Sequence, residues 1–394
     1  MSAFGQSRPT QEASPATQAL QLTARPALRQ EIERELGEYF TQQQAAAEAY
    51  GAEFTHLWAL AAEHVLGGKL VRPILMVETY DALRSSPAGG ASAGPELPRQ
   101  VVIRLAAAIE LLHYSFLLHD DVIDGDTVRR GRPNLIGAMQ ARGGAPTADP
   151  EQAAAGSTPA MRHWARTGGI LMGDLLLAAT HQIVARADLP VEARSQLLDL
   201  LEHTVIESVA GEQIDVGLAD GIIAPDLHTV LAMSAHKTAT YTFELPMRAG
   251  AILAGASQDV ERALTAAGHH LGLAFQLQDD LLSTFGDPAE HGKDAFSDLR
   301  EGKQTAIISY ARMTSTWPSI ECDFGDPTLT RERGERARDL LIACGAERFV
   351  RGLVDEQASA LYEVLAGSGA PSPIPAAARK MLLGFAAELE ERRS

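Results

Sequence analysis

The stretch HDDVIDGDTVRRG, residues 119–131, sets Asp120, Asp121 and Asp124 shortly before Arg129 and Arg130. Asp120 and Asp124 are four apart, so on a helix they project from one face with Asp121 alongside. Gly125 follows at once and favours a helix stop. The carboxylates then sit at the negative end of the helix dipole, an arrangement unfavourable twice over without a partner. A hard divalent cation relieves it, because Mg²⁺ binds through one or two carboxylates plus phosphate oxygens. A second copy, LGLAFQLQDDLLSTFGDP, brings Asp279 and Asp280 to what reads as the end of another apolar helix, with Gly286 and Pro288 as the stop. One such terminus is more often solvated surface than a site. Two of them, each closing an apolar helix, point to metal held between two walls of a bundle.

The chain also carries clustered cations. GGKLVRP (67–73) places Lys69 and Arg72 three apart, behind Gly67 and Gly68, which let backbone N–H groups approach an anion. HKTATY adds Lys237 and Thr238, and HGKDAFSDLREGKQT adds Lys293 and Lys303 on either side of Asp298. Singly, each is ordinary surface charge. Together, in short Gly-flanked settings, they suit one multiply charged anion, with Arg as a bidentate donor and Lys as a point charge.

The elements that must position these groups read as helices. Of 394 residues 45% are hydrophobic but only 5% aromatic, and the Ala/Leu bias favours helix over sheet. Leu28, Ile32, Leu36 and Phe40 repeat every four residues, the stripe of an amphipathic helix. VVIRLAAAIELLHYSFLLHDDVID is apolar nearly all round and predicts a central, buried helix. Alternating Val/Ile runs and fixed-period repeats are missing. The expected fold is all-α, a single large helical bundle over 26–394. Residues 1–25 read as a disordered tail, and the Gly/Pro/Ala-rich breaks near 84–98 and 141–160 as mobile insertions.

Charge narrows the partners. Lys plus Arg total 34 against 51 Asp plus Glu, a net charge of −17, which repels nucleic acid and anionic membrane surface. An anionic substrate must therefore be met locally. Cys322 and Cys344 match no metal spacing and read as reduced thiols. The N-terminus lacks the apolar core of a signal peptide, and no uninterrupted apolar stretch reaches membrane-spanning length. A soluble, cytoplasmic protein without stable membrane insertion is expected.

In chain order the sequence carries GKxxRP, HDDxxD, RRGRP, GDLLL, GExxD, KTA, FQLQDD and GKxxxxDLxxGKxT, from about residue 67 to 305. In this it resembles the trans-prenyl diphosphate synthases, which elongate isoprenyl chains. The resemblance implies an all-α bundle, a homodimer, and a central cavity with both aspartate motifs at its mouth. It implies Mg²⁺ (three ions, with Mn²⁺ as an alternative) on Asp120, Asp124 and Asp279, supported by Asp121 and Asp280. It places an allylic diphosphate near Arg129, Lys237, Lys303 and Lys293. Isopentenyl diphosphate falls to Gly68, Lys69, Arg72, His113 and Arg130. Thr238 and Gln276 either aim oxygen dipoles at an allylic cation or serve as helix–helix hydrogen bonds. His113 matches a functional position of the family; His119 reads as a buried hydrogen-bonder.

Two departures stand out: Ser283 replaces a common third aspartate of the second motif, and Glu212 replaces a common glutamine, while Asp215 is kept. Ser115 and Phe116, the fifth and fourth residues before the first motif, mark the family's length-determining positions. One helical turn rises about 5.4 Å, comparable to one isoprene unit, so the Phe116 ring can form a floor. A short-chain product is expected, geranylgeranyl diphosphate first and farnesyl diphosphate second. A terpene cyclase would leave Lys69, Arg72 and Arg130 unexplained, and a non-catalytic subunit would be expected to have lost aspartates or arginines.

Overall fold

The computed structural model describes residues 26–66, 68–85, 96–129, 131–141, 158–286, 296–367 and 371–391. The expected tail 1–25, the centres of both expected insertions, and Gly67, Arg130, Pro288 and Lys293 lie outside them.

Helix α1 (Pro26–Ala47) buries Leu28, Ile32, Leu36 and Phe40, the stripe read from the sequence. Each such side chain contributes about 1.5–3 kcal/mol on leaving water. Helices α2 (Ala52–Val65) and α3 (Val71–Arg84) pack on it and lead to α4 (Arg99–Asp124), the central helix, buried on most sides. Gly125 ends α4 in the left-handed region at φ 76°, where a side chain would be strained. Around α4 follow α5 (Leu135–Ala141), α6 (Pro159–Arg186) and α7 (Val191–Ala219). Then α8 (Leu227–Ser234) runs into a ten-residue π-helix (Ala235–Glu244) and on into α9 (Leu245–Ala254).

Helix α10 (Gln258–Phe285) starts on a Ser257 cap whose hydroxyl accepts from the Val260 N–H. Short helices α11 (Ser297–Glu301) and α12 (Ala306–Arg312) precede the C-terminal α13 (Arg331–Ala343), α14 (Ala346–Ala366) and α15 (Ala376–Glu391). The main core fills the space between α1, α3, α4, α6, α9 and α10. A second core joins Leu277 and Leu281 of α10 to Ile307, Leu341 and Val350. Helix α10 thus belongs to both cores, which fixes the second aspartate pair rigidly.

Two expectations need correction, after one motif whose local form the sequence left open. RRGRP falls in a miniature hairpin, with Val128–Arg129 and Arg132–Pro133 pairing antiparallel; its Gly131, at φ 71°, supplies the tight turn. Asp279 and Asp280 do not end their helix, since α10 continues to Phe285; Gly286 is the stop, and the pair sits within the last two turns. Finally, α4 and α6 are each long and apolar enough to cross a membrane. One or two interior charges interrupt an apolar run without making the helix polar, and the apolarity of α4 is matched by its burial in the core.

Candidate active site

At the C-terminal end of α4 the carboxylates meet two cations. Arg129, on the first strand of the hairpin, donates from Nη2 to Asp120 Oδ2 at 2.9 Å and to Asp121 Oδ1 at 2.6 Å. Its Nε reaches Asp121 Oδ1 as well, at 2.9 Å. Lys237 Nζ lies 3.2 Å from Asp120 Oδ1, 2.9 Å from Glu212 Oε2 and 2.6 Å from Asp215 Oδ2. Burial opposes ionisation of Asp120, but the Lys237 and Arg129 charges outweigh it and hold the carboxyl below its usual range. Burial pushes Asp121 up to about 6 despite Arg129. Asp124 also rises to about 6, from burial and the Asp120 charge, with Lys237 and Lys303 opposing. Burial alone would lower Lys237, yet Asp120, Asp215 and Glu212 together raise it.

The π-helix carries this lysine, and neighbouring helices clasp it closely. A Cβ on Gly211 of α7 would stand 2.6 Å from the Lys237 backbone N, and one on Gly272 of α10 would stand 2.5 Å from Ala239 Cα. Only glycine allows both approaches. The clasp holds Thr238 against α10, where its hydroxyl donates to Gln276 Oε1 at 2.8 Å and Gln276 Nε2 donates to Asp280 Oδ1 at 2.8 Å. Asp120 pairs with Lys237, and the next residue, Thr238, bonds through Gln276 toward Asp280, so the π-helix backbone spans the interval between the two aspartate motifs. Asp279 precedes the buried Asp280 and is half-buried, and Ser283 stands one turn beyond Asp279. Lys303 lies 3.1 Å from Glu301 and 4.0 Å from Asp298, and its charge is felt at Asp124.

The same π-helix reaches the GKxxRP side. Tyr241 lies beneath the Arg72 guanidinium, 4.6 Å from ring centroid to Cζ, while Arg72 Nη2 donates to Thr242 Oγ1 at 2.8 Å. His113 stacks on Tyr241 at 5.7 Å, and Phe116 meets it edge-on at 5.4 Å. The Arg72 Nε is buried and has no partner among the described residues. Gly68 and the exposed Lys69 immediately precede α3. Ser115 faces elsewhere: it is fully buried and donates to the Gly173 carbonyl of α6 at 2.8 Å. His119 is half-buried, with Nε2 3.2 Å from Asp174 Oδ1. Arg130 and Lys293 lie outside the described residues.

Sequence reasoning missed Tyr241 as the hub of this arrangement; its adjacency to KTA was the available signal. It also left Glu212 open, and the ion pair with Lys237 now gives that residue a place. Its second oxygen is buried without a partner among the described residues.

The donor set fits a hard divalent cation. Asp120 and Asp124 stand one turn apart on α4, and Asp124 is raised by burial first and by the Asp120 charge second. Among the described residues no three His, Cys, Asp or Glu gather into a complete ligand set. A cavity of about 700 Å³ lies away from this site, lined by Tyr39, Trp58, Ala107, Leu111 and Leu175. Leu111 is nine residues before Asp120 and hence on the opposite face of α4.

A profile of the polyprenyl synthetase family matches residues 55–319. The geranylgeranyl diphosphate synthase of Sulfolobus acidocaldarius is 32% identical over 61% of this chain, and the match spans 62% of that protein's length. The geranylfarnesyl diphosphate synthase of Aeropyrum pernix is 30% identical over 71% of this chain and 77% of its own. Among solved structures, a geranylgeranyl pyrophosphate synthase from Corynebacterium glutamicum, crystallised with isoprenyl diphosphate and magnesium, superposes with a TM-score of 0.79. It is 27% identical over 93% of this chain and 99% of its own. The motif order, the helical bundle that joins the two aspartate pairs, and a profile match over most of the chain lead to one assignment: the chain belongs to the polyprenyl synthetase family.

Proposed function

We propose that this chain is a Mg²⁺-dependent trans-prenyltransferase that condenses isopentenyl diphosphate with an allylic diphosphate into a short-chain prenyl diphosphate. The observation that supports this reading is the π-helix, whose Lys237 pairs with Asp120 while the adjacent Thr238 bonds through Gln276 toward Asp280. Arg129, Lys237 and Lys303 serve the allylic diphosphate. Lys69, Arg72 and His113, with Gly68 and Arg130, serve the isopentenyl diphosphate. Mg²⁺ on Asp120, Asp124 and Asp279, when bound, supplies further positive charge to the leaving diphosphate.

The allylic C–O bond breaks and its electron pair leaves with the diphosphate, whose charge Arg129, Lys237 and Lys303 stabilise. Thr238 and Gln276 lie close enough to Lys237 to turn oxygen dipoles toward the allylic cation. The isopentenyl double bond attacks that cation, forming a C–C bond, and the resulting cation loses a proton to the departed diphosphate. The Tyr241 ring stands between Arg72 and Phe116, so it keeps the incoming diphosphate and the allylic tail on separate sides.

The product is geranylgeranyl diphosphate, with farnesyl diphosphate second. Phe116 supports this, being half-buried one turn below Asp120 and braced by Tyr241. A homodimer is supported by exposed apolar side chains on adjacent helices: Trp164, Ile170 and Leu171 on α6, and Ile206 and Val209 on α7.

An omission assay tests the function. With Mg²⁺ and both diphosphates the purified chain makes a longer prenyl diphosphate and free pyrophosphate, and with either substrate alone it makes nothing. Hydrocarbon from the allylic diphosphate alone would identify a cyclase.

A further inference from the structure

Helix α1 lies ahead of the family-matched segment 55–319, yet it touches the GKxxRP loop. Arg29 Nη2 donates to the Gly68 carbonyl at 2.6 Å, while its Nε is held by Glu33 Oε1, one turn along α1, at 2.8 Å. On the other side the loop rests on α4, where a Cβ at Gly68 would stand 3.4 Å from Glu110 Oε1. Two residues on, Leu70 adopts the left-handed region at φ 53°, rare for a branched side chain. Its side chain is only 1% exposed, and its carbonyl accepts the Ile74 N–H at 3.1 Å to open α3. A strained backbone of this kind persists only where the surroundings hold it from several directions, and such strain gathers at ligand clamps.

The direction of the clamp matters. A trans peptide is planar, so a carbonyl and the N–H that follows it point oppositely. With the Gly68 carbonyl drawn onto Arg29, the Lys69 N–H must face away from α1. An unrestrained carbonyl at this place could turn toward a bound diphosphate and repel it. A guanidinium holds a carbonyl firmly because the bond is charge-assisted.

We propose that Arg29 is a positioning residue for the isopentenyl diphosphate: it fixes the Gly68–Lys69 peptide so that the Lys69 N–H, Lys69 and Arg72 converge on that diphosphate alone. This rests on the function proposed above. Arg29 touches no substrate, and it acts through the loop.

The test varies each substrate in turn for the full chain, Arg29→Met and Arg29→Lys, with thermal melts alongside. Arg29→Met raises KM for isopentenyl diphosphate about tenfold, leaving the allylic KM and kcat within about twofold. Arg29→Lys, which keeps a charged donor, recovers most of the loss, and Arg29→Gln carries the comparison in place of the Met variant if that variant does not fold. Equal rises in both KM values, or an isopentenyl KM within twofold of wild type, overturn the proposal. A wild-type chain without turnover overturns the proposed function instead, before any variant is made.

Discussion

At the residue scale, each charged group of the site is defined by what neutralises it. Asp120 is the carboxylate with two cationic partners, and the only one of its motif held below its ordinary range. Asp120→Ala should therefore lower kcat/KM by about a thousandfold or more, while circular dichroism shows the bundle intact. Near-wild-type turnover in Mg²⁺ would remove Asp120 from the site. Phe116 belongs to a different kind of claim, one of size. Phe116→Ala should deepen the cavity and shift products toward longer chains, read by chromatography; an unchanged product spectrum would refute the floor. Ser115 was paired with Phe116 in the sequence, but its bond to the Gly173 carbonyl commits it to the α4–α6 contact. Sequence spacing shows which residues are neighbours; it does not show which of two neighbours faces a partner helix.

At the element scale, the π-helix governs the site. Residues 235–244 carry Lys237, which pairs with Asp120, Thr238, which bonds Gln276, and Tyr241 and Thr242, which both engage Arg72. Widening one turn shifts side chains out of the 3.6-residue register, a feature that often marks functional sites. Nothing in HKTATYTFE announces it, because apolar periodicity over ten residues cannot separate α from π. By contrast, α1, α4 and α10 were legible, since their apolar stripes span many turns and Gly125 and Gly286 mark their ends.

The glycine clasp is testable. Gly211→Ala should destabilise by about 1–3 kcal/mol and cost far more activity than that loss of folded protein explains, because the added methyl pushes on the Lys237 backbone. A loss of activity matched by the loss of folded protein would limit the glycine to packing. The far end of the π-helix is tied by Glu244 to His269 of α10, 3.5 Å apart. The hydrogen bond to Glu244 raises the His269 pKa. This contribution is complete below about pH 6.5, the unfolded value, and is lost as pH rises through the raised folded value. His269→Gln should flatten the fall in melting temperature between pH 6 and 8. An identical pH profile would show the pair to be silent.

At the scale of the whole molecule, a chain of net charge −17 sets Arg129 and Lys237 against the carboxylates at the end of α4, so local cations offset the global field there. The all-α architecture was legible from composition and periodicity alone. The convergence of α4, the π-helix and α10 was not, because it depends on long-range contacts, Asp120 with Lys237 and Thr238 with Gln276, that no local pattern encodes. The exposed apolar side chains of α6 and α7 give the proposed homodimer its test. Leu171→Glu with Val209→Glu should turn a dimer into a monomer in sedimentation, and unchanged mass would place the interface elsewhere.

The central claim is that two distant carboxylate pairs form one catalytic unit, and a double-mutant comparison tests it most directly. Residues acting as a unit show strongly non-additive losses. Single-turnover condensation should fall about as far in Asp120→Asn with Asp279→Asn as in the worse single variant. Losses that multiply, or full activity in either single variant, would mean that the two motifs work apart.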